Sequence, residues 1–171
     1  MDLLISDTCI LIDLCNGGLL EKMSELPYNL GVPDAILSGF FDDETELINP
    51  NAEEIIHAGF QVFSLDYEGL MEVFELNQKY SKPSLNDIFG LVVAKKHNAI
   101  LLTGDGSLRK SAVKENVDVK GILWIMDEMI DNKIIDMQTA SARLQKILDE
   151  GSFLPKSECD KRFEKWENQD E

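Results

Sequence analysis

With 171 residues, 44% of them hydrophobic, the chain has the length and composition of one soluble domain with its own core. The apolar start from Leu3 to Ile5 is interrupted by Asp7 and Asp13 and carries no basic leader, which argues against a secretory signal or a membrane span and makes the cytoplasm the expected compartment. A formal charge of −16 counts against a nucleic-acid partner, because such partners usually meet basic patches. Its distribution softens that exclusion. Up to Gln78 the only basic side chain is Lys22, whereas Lys79, Lys82, Lys95, Lys96, Arg109, Lys110, Lys114 and Lys120 all follow, so a polarised surface or a basic protein partner is expected. Cys9, Cys15 and Cys159 form neither a CxxC pair nor an even set, which argues against a disulfide framework and against a cysteine zinc site.

Taken in chain order, Leu3 to Ser6 reads as a buried strand that ends at Asp7, after which Ile10, Leu11 and Leu14 fall at helical spacing. Gly17 and Gly18 break that helix, and a short helix is predicted near Leu19 to Leu26, ended by Pro27. A second strand is predicted over Asn29 to Val32, with Pro33 opening a helix as its first-turn proline and the helix running to about Phe41. The acidic loop Asp42 to Pro50 follows, then a helix from Ala52 to Ala58 and a third strand from Gln61 to Leu65. Leu70, Val73, Phe74 and Leu76 set a helix between Asp66 and Tyr80. Leu85, Ile88, Phe89, Val92 and Val93 set the next, which delivers a fourth strand over Ala99 to Leu102, stopped by Thr103-Gly104-Asp105-Gly106. A helix from Ser107 to Glu115 and a fifth strand from Val117 to Trp124 complete the alternation, which predicts a parallel sheet covered on both faces. Beyond Trp124, expected as core, the pattern is helical: Ile125 to Asn132, Asp136 to Asp149 with Gly151 as the stop, and a charged segment from Lys156 to Trp166.

In a parallel α/β sheet the helices run antiparallel to the strands, so the start of a helix and the end of its following strand share an edge. Asp87 and Asp105 therefore share an edge, the one where open α/β sheets bind ligands, and Asp7 stands at the joint between the first strand and its helix. Each also has a plain structural use. Ser84-Leu85-Asn86-Asp87 is a capping-box pattern, and Asp7 and Asp105 have the placement of helix N-caps, worth about 1 kcal/mol each. If the first and fourth strands are neighbours, the three carboxylates gather, and their mutual repulsion calls for a cation between them. Oxygen donors suit Mg²⁺ or Mn²⁺; His57 and His97 are isolated and read as surface or packing residues.

Several of these segments together resemble the PIN-domain ribonucleases, a family that includes toxins of toxin-antitoxin pairs. The resemblance is carried by Ser6-Asp7-Thr8 with Leu11-Ile12-Asp13, by Ser84-Leu85-Asn86-Asp87 with Ala94-Lys95, by Leu101-Leu102-Thr103-Gly104-Asp105, and by Leu108 to Ala112 and Gly121-Ile122-Leu123. It covers roughly residues 1–126, leaving 127–171 as a C-terminal helical extension packed on that domain. It implies a three-layer α/β/α fold with a central five-stranded parallel sheet of order 3-2-1-4-5 and a metal-dependent nuclease site at the strand ends. By likeness Asp7, Asp87 and Asp105 would be the catalytic, metal-binding acids, supported by the hydroxyls of Thr8 and Thr103.

The family's glutamate in the helix after the second strand aligns with Gly39, so that acid is missing, and Asp43, one turn further on, is the candidate to replace it. A solvated acidic loop over Asp42 to Glu46 is the plainer reading. Arg109, Lys110, Lys95 and Lys96 are candidates to hold an RNA backbone, with solubility as their structural alternative. The segment with Phe163 and Trp166 is open to packing on its own domain, to homodimer formation or to an antitoxin partner. A metal-dependent endoribonuclease is the first functional reading; a catalytically impaired PIN-like module that binds RNA or protein is the second, and Gly39 speaks for it. An aspartyl phosphotransfer domain fails because Cys9 stands where its second aspartate is needed.

Overall fold

The computed structural model describes residues 1–38 and 49–168. The strands are β1 (Leu3–Ser6), β2 (Asn29–Pro33), β3 (Gln61–Phe63), β4 (Ile100–Leu102) and β5 (Val119–Lys120). The described helices are α1 (Thr8–Asn16), α2 (Asp34–Ser38), α3 (Ala52–His57), α4 (Tyr67–Lys79), α5 (Leu85–Lys96), α6 (Gly106–Lys114), α7 (Ile122–Asp131), α8 (Met137–Asp149) and α9 (Lys156–Glu167). All neighbouring strands pair in parallel, in the order β3-β2-β1-β4-β5. The expected sheet and its order are therefore present.

Alternation along the strands sorts their side chains to two faces. Leu4 and Leu102 enter one buried cluster with Ile10, Leu14, Ile125, Met129, Leu144 and Trp166. Ile5 and Leu101 enter the other, with Val73, Ile88, Val92, Leu108 and Ala112. One face is thus covered by α1, α3, α7, α8 and α9 and the other by α4, α5 and α6, giving three layers. Trp166 is buried and Phe163 packs against the first cluster, so α9 lies back on its own chain. Among the described residues, no helix is long and apolar enough to cross a membrane.

Three local expectations are corrected. Pro33 ends β2, and α2 starts at Asp34: the ring's fixed φ also suits extended backbone, and here the strand keeps it. The turn near Leu19 to Leu26 is a 3₁₀ segment, Glu21–Glu25. Val117 to Trp124 is mostly not a strand. Gly121 caps α7, whose buried residues Ile122, Ile125, Met126 and Met129 follow helical spacing. The run of β-formers in Gly121 to Trp124 hides that periodicity. As a result Trp124 is half-buried at the rim, against Tyr28 at a ring-centroid distance of 5.6 Å, instead of sitting in the core.

Candidate active site

The register Ser6↔Leu102 sets the ends of β1 and β4 side by side, and the amide of Asp7 donates to the carbonyl of Leu102 at 3.0 Å. Asp7 and Thr103, each the first residue past its strand, are consequently buried neighbours at the same edge. Asp7 turns the chain into α1: its Oδ1 accepts from the amide of Ile10 at 2.9 Å as the helix cap. Its Oδ2 is buried and has no well-formed hydrogen bond. The carboxyl is pushed up to about 7, first by burial and further by the charges of Asp87 and Asp105, with the Thr103 hydroxyl and the Ile10 amide pulling the other way.

Asp87 closes the capping box at the start of α5. Its Oδ2 accepts from the amide of Ser84 at 2.9 Å, and its own amide donates to Ser84 Oγ at 3.1 Å. Asp105 caps α6. Its Oδ1 accepts from the amide and the hydroxyl of Ser107, both at 2.7 Å, and from the amide of Leu108 at 3.3 Å. Those donors, Ser107 foremost, hold its carboxyl below the usual carboxylate range. Thr103 Oγ1 fixes the turn by accepting from the amide of Asp105 at 3.1 Å.

The structural use foreseen for each aspartate is thus realised, and in each case it occupies one oxygen. The other oxygens of Asp87 and Asp105 accept no hydrogen bond from a described residue. The three share one electrostatic neighbourhood. Cys9, at the second position of α1, has its thiol pushed up to about 11 by desolvation and then by Asp7, Asp87, Asp13 and Asp105. Asp7 and Asp87 also line a common cavity of about 10 Å³ with Thr8, Asn86 and Gly90, close to the least volume that holds one water. As they stand, however, no three of the described His, Cys, Asp or Glu side chains are close enough to hold one ion among them.

Asn86 was overlooked in the sequence. Its Oδ1 is buried, lines the same cavity and has no hydrogen bond, and its place inside the capping box masked it. Gly39 and Asp43 lie outside the described residues. The four candidate cations divide. Arg109 and Lys110 are exposed on the first turns of α6, beside Asp105. Lys95 and Lys96 sit in the last turn of α5, about 12 Å along the helix from Asp87 at 1.5 Å per residue. Lys95 pairs with Glu72 at 2.7 Å and Glu115 at 3.2 Å, and Lys96 with Asp66 at 3.5 Å. They are bridges between helices, and the structure does not bring them to the aspartates. The missed signal is their distance along α5, which removes any residue near its C-terminus from the edge that holds its N-terminus.

A family model described as the PIN domain matches residues 3–168. The chain belongs to the PIN-domain family. PIN domains are generally nucleases, and the match runs through α7, α8 and α9 as well as the sheet. Among solved structures, the chain is similar to VapBC2 from Rickettsia felis bound to a DNA fragment from their promoter, at 13% identity and a TM-score of 0.48 over 70% of this chain and 98% of that one. It is also similar to a domain of a functionally unknown protein from Methanocaldococcus jannaschii DSM 2661, at 19% identity and a TM-score of 0.45 over 71% of this chain and 91% of that one. No curated protein matches the sequence.

The donor chemistry suits a divalent cation. Asp7 offers a buried oxygen without a hydrogen bond, Asp87 lines the same cavity, and both are hard oxygen donors of the kind Mg²⁺ and Mn²⁺ take. Mg²⁺ is commonly held by one or two carboxylates while keeping several waters. Direct contact with all three aspartates is therefore not required.

Proposed function

We propose that this PIN-domain protein is a metal-dependent endoribonuclease. The observation that carries the reading is Asp7: a carboxyl at the end of β1, 6% exposed, with one oxygen lacking a well-formed hydrogen bond, pushed up to about 7 by burial first and then by the charges of Asp87 and Asp105. Such a group is destabilised when ionised and is relieved by a cation. In this reading Asp7, Asp87 and Asp105 would hold Mg²⁺ or Mn²⁺, with Asp43 as a further candidate ligand. Thr8 borders the ligands in their cavity, and Thr103 keeps the Asp105 turn in place. When bound, the metal supplies charge neutralisation at the phosphodiester and an acidified water. Asp105, held ionised by Ser107 and Leu108, would keep a fixed negative charge at the site. Arg109 and Lys110 meet the RNA backbone.

We assign the PIN-like domain to residues 1–126 and treat 127–171 as its C-terminal extension, of which α8 and α9 share a buried cluster with α1. The acidic first half suits a basic antitoxin, which makes a cytoplasmic toxin of a toxin-antitoxin pair the role we favour. A second reading has a specific observation behind it. Asp7 and Asp105 cap helices, Asp87 completes a capping box, and no three acids converge among the described residues, which is what an impaired module that binds RNA without cutting it would retain. The deciding experiment is cleavage of a mixed RNA pool by the purified chain with Mn²⁺, beside an Asp7→Asn, Asp105→Asn double variant. Loss of cleavage in the variant is expected. Undiminished cleavage by the variant overturns the site, and metal binding without cleavage by either protein favours the second reading.

A further inference from the structure

Beside Asp105 lies an open groove of about 520 Å³, lined by Gly104, Gly106, Arg109, Lys120, Trp124 and Phe153 among others. Its size is that of a ligand site, and its lining combines three features that share one kind of partner. We infer that this groove holds single-stranded RNA, with unpaired bases stacked at Trp124 and Phe153 and the backbone held by Arg109 and Lys120. The inference rests on the nuclease reading for its purpose, because it supplies the track by which a strand reaches Asp105.

The first feature is aromatic. Trp124 is half-buried, with one ring neighbour in Tyr28, and Lys120 Nζ stands 5.7 Å from its ring centroid. Phe153, on the connection from α8 to α9, is 100% exposed. A phenylalanine wholly in water gains nothing for the fold, whereas a base laid on its face would remove that surface from water. Stacking on aromatic rings and on cations beside them is how single strands are held without sequence readout.

The second feature is charge. In a chain of net charge −16, two cations of this groove, Arg109 and Lys120, are not neutralised. Among the described residues neither Arg109 nor Lys120 has an ion pair, and the groove's one acid, Glu158, is committed to Lys161 at 3.0 Å and Arg162 at 2.9 Å. Arg162 is further tied to Asp127 at 2.8 Å and contributes no free charge. An anionic strand is therefore attracted here and repelled by most of the remaining surface. A basic peptide would meet two unpaired cations.

The third feature is access. Gly104 and Gly106 flank Asp105, and a Cβ built at either would have nothing within 4 Å. A backbone can approach the carboxylate from the groove without meeting a side chain. Gly104 and Gly106, on either side of Asp105, line the groove together with Trp124 and Phe153, which puts one end of it at the Asp105 turn. A duplex is excluded by the stacking mode, because its bases are already stacked on each other.

The test uses the full chain without metal, in EDTA, so that binding is measured apart from cleavage. Trp124 is one of 2 tryptophans, and the other, Trp166, is 4% exposed, so quenching of tryptophan emission by a short mixed-sequence single-stranded RNA reports on the groove. Saturable quenching is expected, with affinity about tenfold weaker in Phe153→Ala and the salt dependence reduced by about one phosphate contact in each of Arg109→Met and Lys120→Met. Phe153 touches no core residue, so its variant keeps the fold. Trp124→Phe should lose the signal but retain affinity by fluorescence anisotropy.

The inference is overturned by RNA affinity that ignores Phe153→Ala and Lys120→Met, by a duplex that competes equally, or by no RNA binding at all. Cleavage with Mn²⁺, run alongside, separates the two claims. Equal cutting by wild type and Phe153→Ala leaves the nuclease and removes the groove. Groove-dependent binding without cutting keeps the groove and removes the nuclease.

Discussion

Replacing Asp7 by Asn should stabilise the metal-free protein at pH 8 and leave it little changed at pH 5. The carboxyl is pushed from 3.8 up to about 7 by burial and by its acidic neighbours. Its folded value lies above its unfolded one, so the contribution to stability is complete below about pH 3.8, erodes as pH rises, and is lost once pH passes about 7. The full difference corresponds to about 4 kcal/mol at 1.36 kcal/mol per pH unit, an upper bound on what ionisation costs the fold. Asparagine keeps the oxygen that accepts from Ile10 and adds an amide. That amide must be desolvated, at about 1–3 kcal/mol if unpaired, though it faces carboxylates able to accept from it.

A net gain of about 1–3 kcal/mol at pH 8 is the result, or roughly 3–10 °C in Tm for a chain of this size. Thermal unfolding followed by circular dichroism at both pH values, in EDTA, measures it. Adding Mn²⁺ should offset most or all of the variant's advantage at pH 8. Ligand at 100 times its Kd contributes about 2.7 kcal/mol to the wild type and much less to Asp7→Asn. A variant no more stable than wild type at pH 8, or equally stabilised at pH 5 and pH 8, would refute the claim that an ionised Asp7 is a strained, cation-seeking group.

Two further outcomes concern the scaffold. Gly31 in β2 has no room for a side chain: a Cβ there would press on the Phe63 ring and stand 2.8 Å from Ile5 Cδ1, so Gly31→Ala should cost about 1–3 kcal/mol in urea unfolding without altering RNA affinity. Glu115, 9% exposed at its side chain, accepts from Lys79, Tyr80 and Lys95, and its carboxyl is pulled down to about 2, first by Lys79. Its stabilisation is therefore present above about pH 4.5 and fades as pH falls toward 2. Glu115→Gln should lose about 1–3 kcal/mol at pH 7 and flatten the acid limb of the stability curve.

The sheet was legible because its signals are local and redundant. Leu3 to Ser6 and Ala99 to Leu102 are short apolar runs ended by Asp7 and by Thr103-Gly104, and the helices between them carry clear periodicity, so the parallel order follows from connection rules. The fifth strand was misread because Ile122, Leu123 and Trp124 are good β-formers. What decides their state is burial at Ile125, Met126 and Met129, a tertiary fact. Pro33 erred for a related reason, its fixed φ being compatible with both a strand end and a helix start.

The site was legible only in outline. Asp7, Asp87 and Asp105 were identifiable because the edge of a parallel sheet collects strand ends and helix starts. Their chemistry was not, since an aspartate at such a joint satisfies a helix whether or not it also binds a metal. Sequence could not assign Asn86, whose buried Oδ1 depends on the packing of α5 against Ile36 and Leu101. Nor could it exclude Lys95, whose partners Glu72 and Glu115 come from two other elements.

Capping and metal binding are not rival explanations for these aspartates, because a cap engages one oxygen and leaves the other. What separates them is the surroundings of the second oxygen. At Asp105 the donors of Ser107 and Leu108 already stabilise the charge, so a cation would add little to its ionisation. At Asp7 one amide and the Thr103 hydroxyl oppose burial and two nearby charges, and burial prevails. The energetic reason to recruit an ion is thus concentrated at the end of β1. This PIN-domain edge is organised around one poorly satisfied carboxylate, Asp7, with the charges of Asp87 and Asp105 raising its cost of ionisation further.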